Sequence, residues 1–74
     1  MSTEYWVARV VCSAVSVTPQ IMMDVRRGNL FVSGGEVCEP VCDPFDDPER
    51  AMAEMARRAR DGAPYKMVMS TDDL

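Results

Sequence analysis

The chain has 74 residues, three cysteines, no histidine and a formal net charge of −4. At roughly 100–200 residues per domain, residues 1–74 form at most one small domain, which leaves no room for a deep pocket or a cofactor-binding fold. The absence of histidine removes the commonest general base and the commonest metal ligand. Composition therefore argues against most catalytic and metal-binding classes of protein.

Hydropathy gives an expectation about location. The composition, 47% hydrophobic and 27% charged, is that of an ordinary globular protein. No stretch approaches the roughly 20 apolar residues that span a bilayer, and the first four residues lack the basic start of a secretory signal. We therefore expect a cytoplasmic protein that makes no membrane contact and whose cysteines are reduced by default.

The negative charge is concentrated in one segment. Residues 28–49 contain no Lys or Arg and carry a net charge of −6, whereas residues 1–27 and residues 50–74 each carry +1. A block of like charge is often an interaction surface, although a solvated loop that keeps the protein soluble has the same composition. We predict a partner-binding acidic surface made of Glu36, Glu39, Asp43, Asp46, Asp47 and Glu49.

The first half of the chain is predicted to form strands. Residues 4–17 are rich in Val and aromatic residues and lack Gly and Pro, which is typical of a strand. This strand is expected to bend or end near Ser13. Residues 21–26 alternate in polarity and predict a second strand, which a turn at 27–29 joins to a third strand at 30–32. The glycine pair at 34–35 favours a bulge or a further reversal before a short edge strand at 36–38.

The two faces of the first strand differ. Its even positions are all apolar and predict the face that the core covers: Trp6, Ala8, Val10, Cys12 and Ala14. The other face of the sheet is expected to stay partly exposed beside Arg9 and Arg26, and to offer Tyr5, Val7, Val11, Met22 and Phe31. Such a face is a plausible docking surface, and the alternatives are a homodimer seam or a cover formed by residues 35–48.

A loop and a helix follow. Three prolines predict an acidic, proline-rich loop over about 36–48, anchored by Val41 and Phe45. The helix is predicted to begin with Asp47 as its N-cap and Pro48 in its first turn, and to end at Gly62. Its apolar stripe is predicted to pack on the sheet through Met52, Met55, Ala56, Ala59 and Ala63.

The chain closes with a predicted strand at 65–69 and an acidic tail at about 70–74. The fold class is therefore α+β: a small two-layer domain with a mostly antiparallel sheet of three to five strands and one helix on one face. The predicted order of elements is β-β-β-α-β.

The cysteines leave three interpretations. Structural zinc requires four Cys or His ligands, so here a carboxylate or water would complete the set of three cysteines. A Cys38–Cys42 disulfide would close a very short loop and requires an oxidising compartment. The interpretation we favour makes Cys12 a small core residue and the other two free thiols, with no metal or cofactor.

Catalysis is not expected. A cysteine nucleophile normally needs a positioned base, and histidine is absent. The pair Gly34-Gly35 lacks the spacing and the lysine of a phosphate-binding loop. Neither feature supports an enzyme.

In size, acidity and element types the chain resembles the small inhibitors of phages and mobile elements called anti-CRISPRs. The resemblance extends over the whole chain, and its matching features include the β-rich sheet, the helix segment Ala51-Met52-Ala53-Glu54-Met55-Ala56 and the closing strand Tyr65-Lys66-Met67-Val68-Met69. It implies a non-enzymatic inhibitor in the host cytoplasm, which binds a CRISPR effector or another nucleic-acid-handling protein and blocks its basic site. The family has no shared motif, so the resemblance assigns no residue.

A second hypothesis uses the basic residues. A small nucleic-acid-binding regulator needs a basic footprint that neutralises phosphates. The candidates, with two aromatic side chains, are Arg9, Arg26, Arg27, Arg57, Arg58, Arg60, Tyr5 and Phe31. The net charge of −4 makes direct binding of nucleic acid less favourable than binding of a basic protein surface.

Overall fold

The computed structural model describes residues 2–72. The regular elements are β1 (Ser2–Ser13), α1 (Pro19–Arg26), β2 (Phe31–Ser33), β3 (Glu36–Pro40), α2 (Pro48–Arg58) and β4 (Tyr65–Asp72). Short 3₁₀ turns follow β1 at Ala14–Ser16 and α2 at Ala59–Asp61. The four strands form one antiparallel sheet in the order β2-β3-β1-β4. The α+β class is confirmed, but residues 2–72 contain two α-helices and the order of elements is β-α-β-β-α-β.

The predicted second strand at 21–26 is wrong, because this segment is helix α1. The Thr18 hydroxyl caps the helix by accepting from the Ile21 N–H at 3.3 Å, and Pro19 fixes the first turn. The helix ends just before Gly28, whose φ of +84° only glycine adopts readily. The turn at 27–29 therefore ends a helix and does not join two strands.

The segment 36–48 is also not a single loop. Its first five residues form β3, which lies in the interior of the sheet between β2 and β1, so the predicted edge strand is wrong in position. Gly34 and Gly35 form the reversal before it, with φ of +59° and +78°, the two positive values that a tight hairpin turn needs. Pro40 stands at the last position of β3, where the missing N–H is tolerated.

The predicted anchors attach the remaining loop, residues 41–47, to β1. The Val41 N–H donates to the Val7 carbonyl at 3.2 Å. Phe45 and Tyr5 exchange two backbone hydrogen bonds, at 2.8 and 2.9 Å. The loop is therefore held at two points along the strand that forms the centre of the fold.

Helix α2 covers the face of β1 that the sequence predicted to be open. Val7 and Ala51 are both fully buried. Tyr65, the cross-strand partner of Arg9, donates to Asp61 just after the helix, which places α2 on the face of Val7 and Arg9. The docking face predicted from Tyr5 and Val7 is therefore occupied within the chain.

The even positions of β1 face the other way, onto the concave side of a curled sheet. Ala8 is fully buried there, while Trp6 and Val10 are half-buried. Phe31 was predicted on the open face but shares this side, because it pairs with Cys38, which in turn pairs with Val10. Beyond Val10 an irregularity in the register shifts the pairing.

The apolar stripe of α2 is only partly as predicted. Ala51 is buried and Met55 half-buried, but Met52 is 54% exposed and Ala56 and Ala59 are exposed. Two charged side chains, Glu54 and Arg58, take the half-buried positions instead. They form an ion pair with Nε–Oε2 at 2.6 Å, and long side chains of this kind cover apolar surface with their stems.

One side chain draws the two edges of the sheet together. The Lys66 ammonium on β4 donates to the Ser33 carbonyl at the end of β2 and to Glu36 Oε1, both at 3.0 Å. Lys66 is paired with the buried Ala8 on β1, so its side chain passes over the concave face. The contact closes one end of the curled sheet.

The predicted tail differs as well, because residues 70–72 extend β4, while Asp73 and Leu74 lie outside the described residues.

Replacing Lys66 tests this closure. We expect Lys66→Met to lower the free energy of unfolding by about 1–2 kcal/mol, since two hydrogen bonds from a partly buried ammonium are lost. Glu36→Gln keeps the bond to Ser33 and should cost less than about 1 kcal/mol. Urea unfolding followed by circular dichroism measures both values. Equal stability of Lys66→Met and the unmodified chain would contradict the role of the closure.

The junction of α2 and β4 predicts a pH effect. The Tyr65 hydroxyl donates to Asp61 Oδ2 at 2.6 Å and the Ala63 N–H donates to Oδ1 at 2.8 Å, which lowers the pKa of Asp61; the same bond raises the pKa of Tyr65. The junction therefore stabilises the fold at neutral pH. Its contribution to stability is lost as the pH falls through the lowered pKa of Asp61. It is also lost as the pH rises through the raised pKa of Tyr65.

We expect Tyr65→Phe to raise the pKa of Asp61 toward its ordinary value, measured by NMR titration of the carboxyl carbon. Tyr5→Phe is the matched control, because the Tyr5 hydroxyl is not a partner of Asp61. An unchanged Asp61 titration in Tyr65→Phe would show that the hydroxyl does not set this pKa.

Candidate functional site

Two of the six acidic side chains predicted to bind a partner are neutralised within the fold. Glu36 pairs with Lys66 at 3.0 Å, and Glu39 pairs with Arg9 at 2.6 Å. Both partners lie 30 residues away in the sequence. These two carboxylates therefore act first within the sheet, where they join β3 to β1 and β4.

A third acidic residue has a local structural role. Asp47 is the N-cap of α2, as predicted, and its Oδ1 accepts from the Glu49 N–H at 2.9 Å. Pro48 occupies the first turn, also as predicted. The Asp47 side chain is half-buried and is committed to a backbone amide that the helix itself leaves without a partner.

The other three carboxylates are free to meet a partner. Asp43, Asp46 and Glu49 are exposed, and no ion pair engages them within residues 2–72. We call residues 43–49 the acidic loop. The helix N-terminus beside it favours negative charge, so the fold tolerates this density of carboxylates.

The acidic loop is mounted on the sheet. Phe45, at its middle, is bonded through its backbone to Tyr5 and lies under the Arg50 guanidinium, whose carbon is 5.9 Å from the ring centroid. Residues 43–50 carry four acidic side chains and one basic side chain, a net charge of −3. Chemically, exposed carboxylates are acceptors for charge-assisted hydrogen bonds from ammonium and guanidinium groups.

The basic residues do not come together as one free cluster. Arg57 and Arg58 both bond to Glu54, and these bonds lower the pKa of Glu54. Arg9 is paired with Glu39. Among the described residues, the exposed arginines without an ion pair are Arg26, Arg27, Arg50 and Arg60, and of these Arg50 lies over the Phe45 ring.

The two aromatic residues of the basic hypothesis lie on different faces. Tyr5 is on the α2 side of β1 and is half-buried beside Phe45, while Phe31 lies on the concave side. They therefore do not form a stacking platform together.

The three cysteines are free thiols, but their places differ from the prediction. Cys38, on β3, is the fully buried one, whereas Cys12 and Cys42 are half-buried. Burial raises the pKa of the Cys38 thiol. Within the described part of the chain, no three Cys, Asp or Glu side chains are grouped so as to hold a metal ion.

Sequence reasoning missed an apolar cleft on the concave side. It lies between the edge strands β2 and β4, and its volume is about 400 Å³. Its lining includes Trp6, Gly28, Phe31, Pro40, Val68 and Met69. The available signal was the uncharged run at 67–71, which marks a strand without the charges that usually protect a sheet edge.

Comparison with known proteins adds no relative. No family model matches the chain, and neither the curated proteins nor the solved structures contain a significant match. Within residues 2–72, none of the helices has the length and apolar character needed to cross a bilayer.

The division of the acidic residues is testable by stability. We expect Asp47→Ala to lower the free energy of unfolding by about 1 kcal/mol, because the first turn of α2 loses its cap. Asp43→Ala, a matched change at an exposed position, should stay within about 0.5 kcal/mol of the unmodified chain. Urea unfolding measures both. Equal losses would contradict the separation of cap and free carboxylates.

Proposed function

We propose that the protein is a small non-enzymatic binding protein whose acidic loop engages a basic surface on a partner protein that handles nucleic acid. The observation that carries the proposal is the set of three exposed carboxylates, Asp43, Asp46 and Glu49, which have no ion pair within the described residues. A protein surface that binds the phosphates of DNA or RNA is rich in Lys and Arg. Carboxylates are complementary in charge to the same Lys and Arg side chains.

The mounting of the loop supports this role. Two backbone hydrogen bonds between Phe45 and Tyr5 and the α2 cap at Asp47 fix the loop at two positions within it. A carboxylate set that is already ordered loses less conformational entropy when a partner binds. Charge complementarity also speeds association through electrostatic steering.

The more specific form of the proposal is an anti-CRISPR-like inhibitor, which occupies the DNA-binding site of a CRISPR effector. Small size, local acidity and a sheet with an Ala/Met-rich helix support it. In this form, Glu36, Glu39 and Asp47 support the loop and the free carboxylates make the contact.

A comparison of two charge-matched variants tests the loop. Asp43→Asn with Asp46→Asn, and the control Glu4→Gln with Asp24→Asn, each remove two negative charges that form no ion pair. The immobilised proteins are exposed to a nuclease-treated bacterial lysate, and the captured proteins are quantified by mass spectrometry. We expect the loop variant to lose basic, nucleic-acid-binding proteins about 10-fold relative to the control.

The captured proteins should also be released by added DNA and by raising the salt to about 0.5 M, because the contact is electrostatic and shares a DNA-binding site. Equal capture by the loop variant and the control would overturn the proposal. Both variants are checked by circular dichroism, so that a folding defect is not read as lost binding.

The alternative function, direct binding of nucleic acid, rests on the exposed Arg26, Arg27 and Arg60. Arg57 and Arg58 are already held by Glu54, which leaves fewer free cations than the sequence suggested. A gel shift of purified protein with DNA and RNA at low salt separates the two functions. Micromolar binding that Arg26→Gln with Arg27→Gln abolishes would favour the alternative.

A further inference from the structure

The cleft between β2 and β4 follows from how the sheet closes. The two edge strands run antiparallel to each other across the concave side, because each is antiparallel to its own neighbour in the order β2-β3-β1-β4. Lys66 joins them at one end through Ser33. Away from this bond the edges stay apart, and Gly28, Phe31, Val68 and Met69 line the space between them.

The edge of β4 along this cleft lacks the usual protection. Natural sheets guard a long edge with lysines, prolines, bulges or very short strands. β4 has eight residues, and its stretch 67–71 contains neither a charge nor a proline. The one lysine of the strand, Lys66, is turned away from the edge to Ser33 and Glu36. β2, by contrast, is only three residues long.

The lining of the cleft defines the chemistry of an occupant. The floor is formed by the half-buried Trp6 and Phe31, and the exposed Ser70, which shares their face through its pairing with Glu4, stands at the lip. None of the lining side chains is ionisable. A charged side chain would therefore lose its hydration without gaining a partner, so the cleft favours uncharged, apolar side chains.

We propose that this cleft binds an extended, uncharged segment of a partner protein, which adds as a strand to the free edge of β4. The backbone of β4 supplies hydrogen bonds, and alternate side chains of the segment enter the cleft against Trp6 and Phe31. This surface is separate from the acidic loop, which lies beside α2 on the other side of β1. The inference therefore does not depend on the proposed electrostatic function.

The sequence offers a built-in probe, because Trp6 is the only tryptophan. The test ligand is an acetylated and amidated Thr-Val-Thr-Val-Thr-Val-Thr peptide with a polyethylene glycol tail for solubility. We expect it to shift the Trp6 emission to shorter wavelength in a saturable way. The same peptide methylated at every backbone nitrogen keeps its side chains but cannot pair as a strand, and we expect at least 10-fold weaker binding.

Two exposed serines give matched variants. Ser70→Lys places a charge at the lip of the cleft, on the face of Trp6, whereas Ser16→Lys makes the same change in the 3₁₀ turn after β1, away from the cleft lining. We expect Ser70→Lys to weaken peptide binding at least 10-fold and Ser16→Lys to change it less than 2-fold. Equal effects of the two substitutions would overturn the proposal.

Two further outcomes would also overturn it. Absence of any emission shift up to millimolar peptide excludes strand addition, and equal binding of the methylated peptide shows that the cleft recognises apolar surface only. Sedimentation velocity without peptide tests a second copy as occupant. A dimer that Ser70→Lys dissociates, and Ser16→Lys does not, would replace the partner segment with another copy of this chain.

Discussion

The fold depends on the Lys66 ammonium, which joins the two edges of a four-stranded sheet. A sheet of this size twists, but twist alone does not bring its first and last strands together. The bonds from Lys66 to Ser33 and Glu36 do so at one end, directly above Ala8, which is small enough to lie under the lysine stem and is fully buried. This contact closes one end of the curled sheet and leaves the cleft between β2 and β4 open away from it.

The same contact changes the meaning of the negative charge. Read along the chain, residues 28–49 have no basic residue to balance them. In the fold, Lys66 and Arg9 come from distant strands to Glu36 and Glu39, so the first part of the segment is neutralised in the sheet. The carboxylates of this segment that stay exposed without an ion pair all lie in the acidic loop. The one structural role that a carboxylate has there is the helix cap at Asp47. The fold thus separates carboxylates that take part in its own contacts from those that stay exposed without an ion pair.

The parts of the fold that sequence could predict are those encoded locally. Asp47 and Pro48 specify the start of α2 within two residues, and the glycine pair at 34–35 specifies a reversal. Alternating polarity does not distinguish helix α1 from a strand, because six such residues also fit a helix with one apolar side. The deciding signal is the Thr18 cap followed by Pro19, which lies before the alternating residues. The ion pairs of Glu36 and Glu39 and the cleft could not be predicted from local sequence, because they bring together residues about 30 positions apart.

A small core limits where this protein can carry function. The largest fully buried side chains are Val7, Val37 and Cys38, so little apolar burial is available to support a strained or deeply enclosed site. Binding surfaces that use groups left over by the fold impose no such cost. The acidic loop consists of carboxylates that need no partner inside the chain, and the cleft consists of a strand edge that the sheet leaves unpaired. Because α2 and the edge strand β4 present them on different sides of β1, substitutions can remove either surface while the closure at Lys66 stays intact.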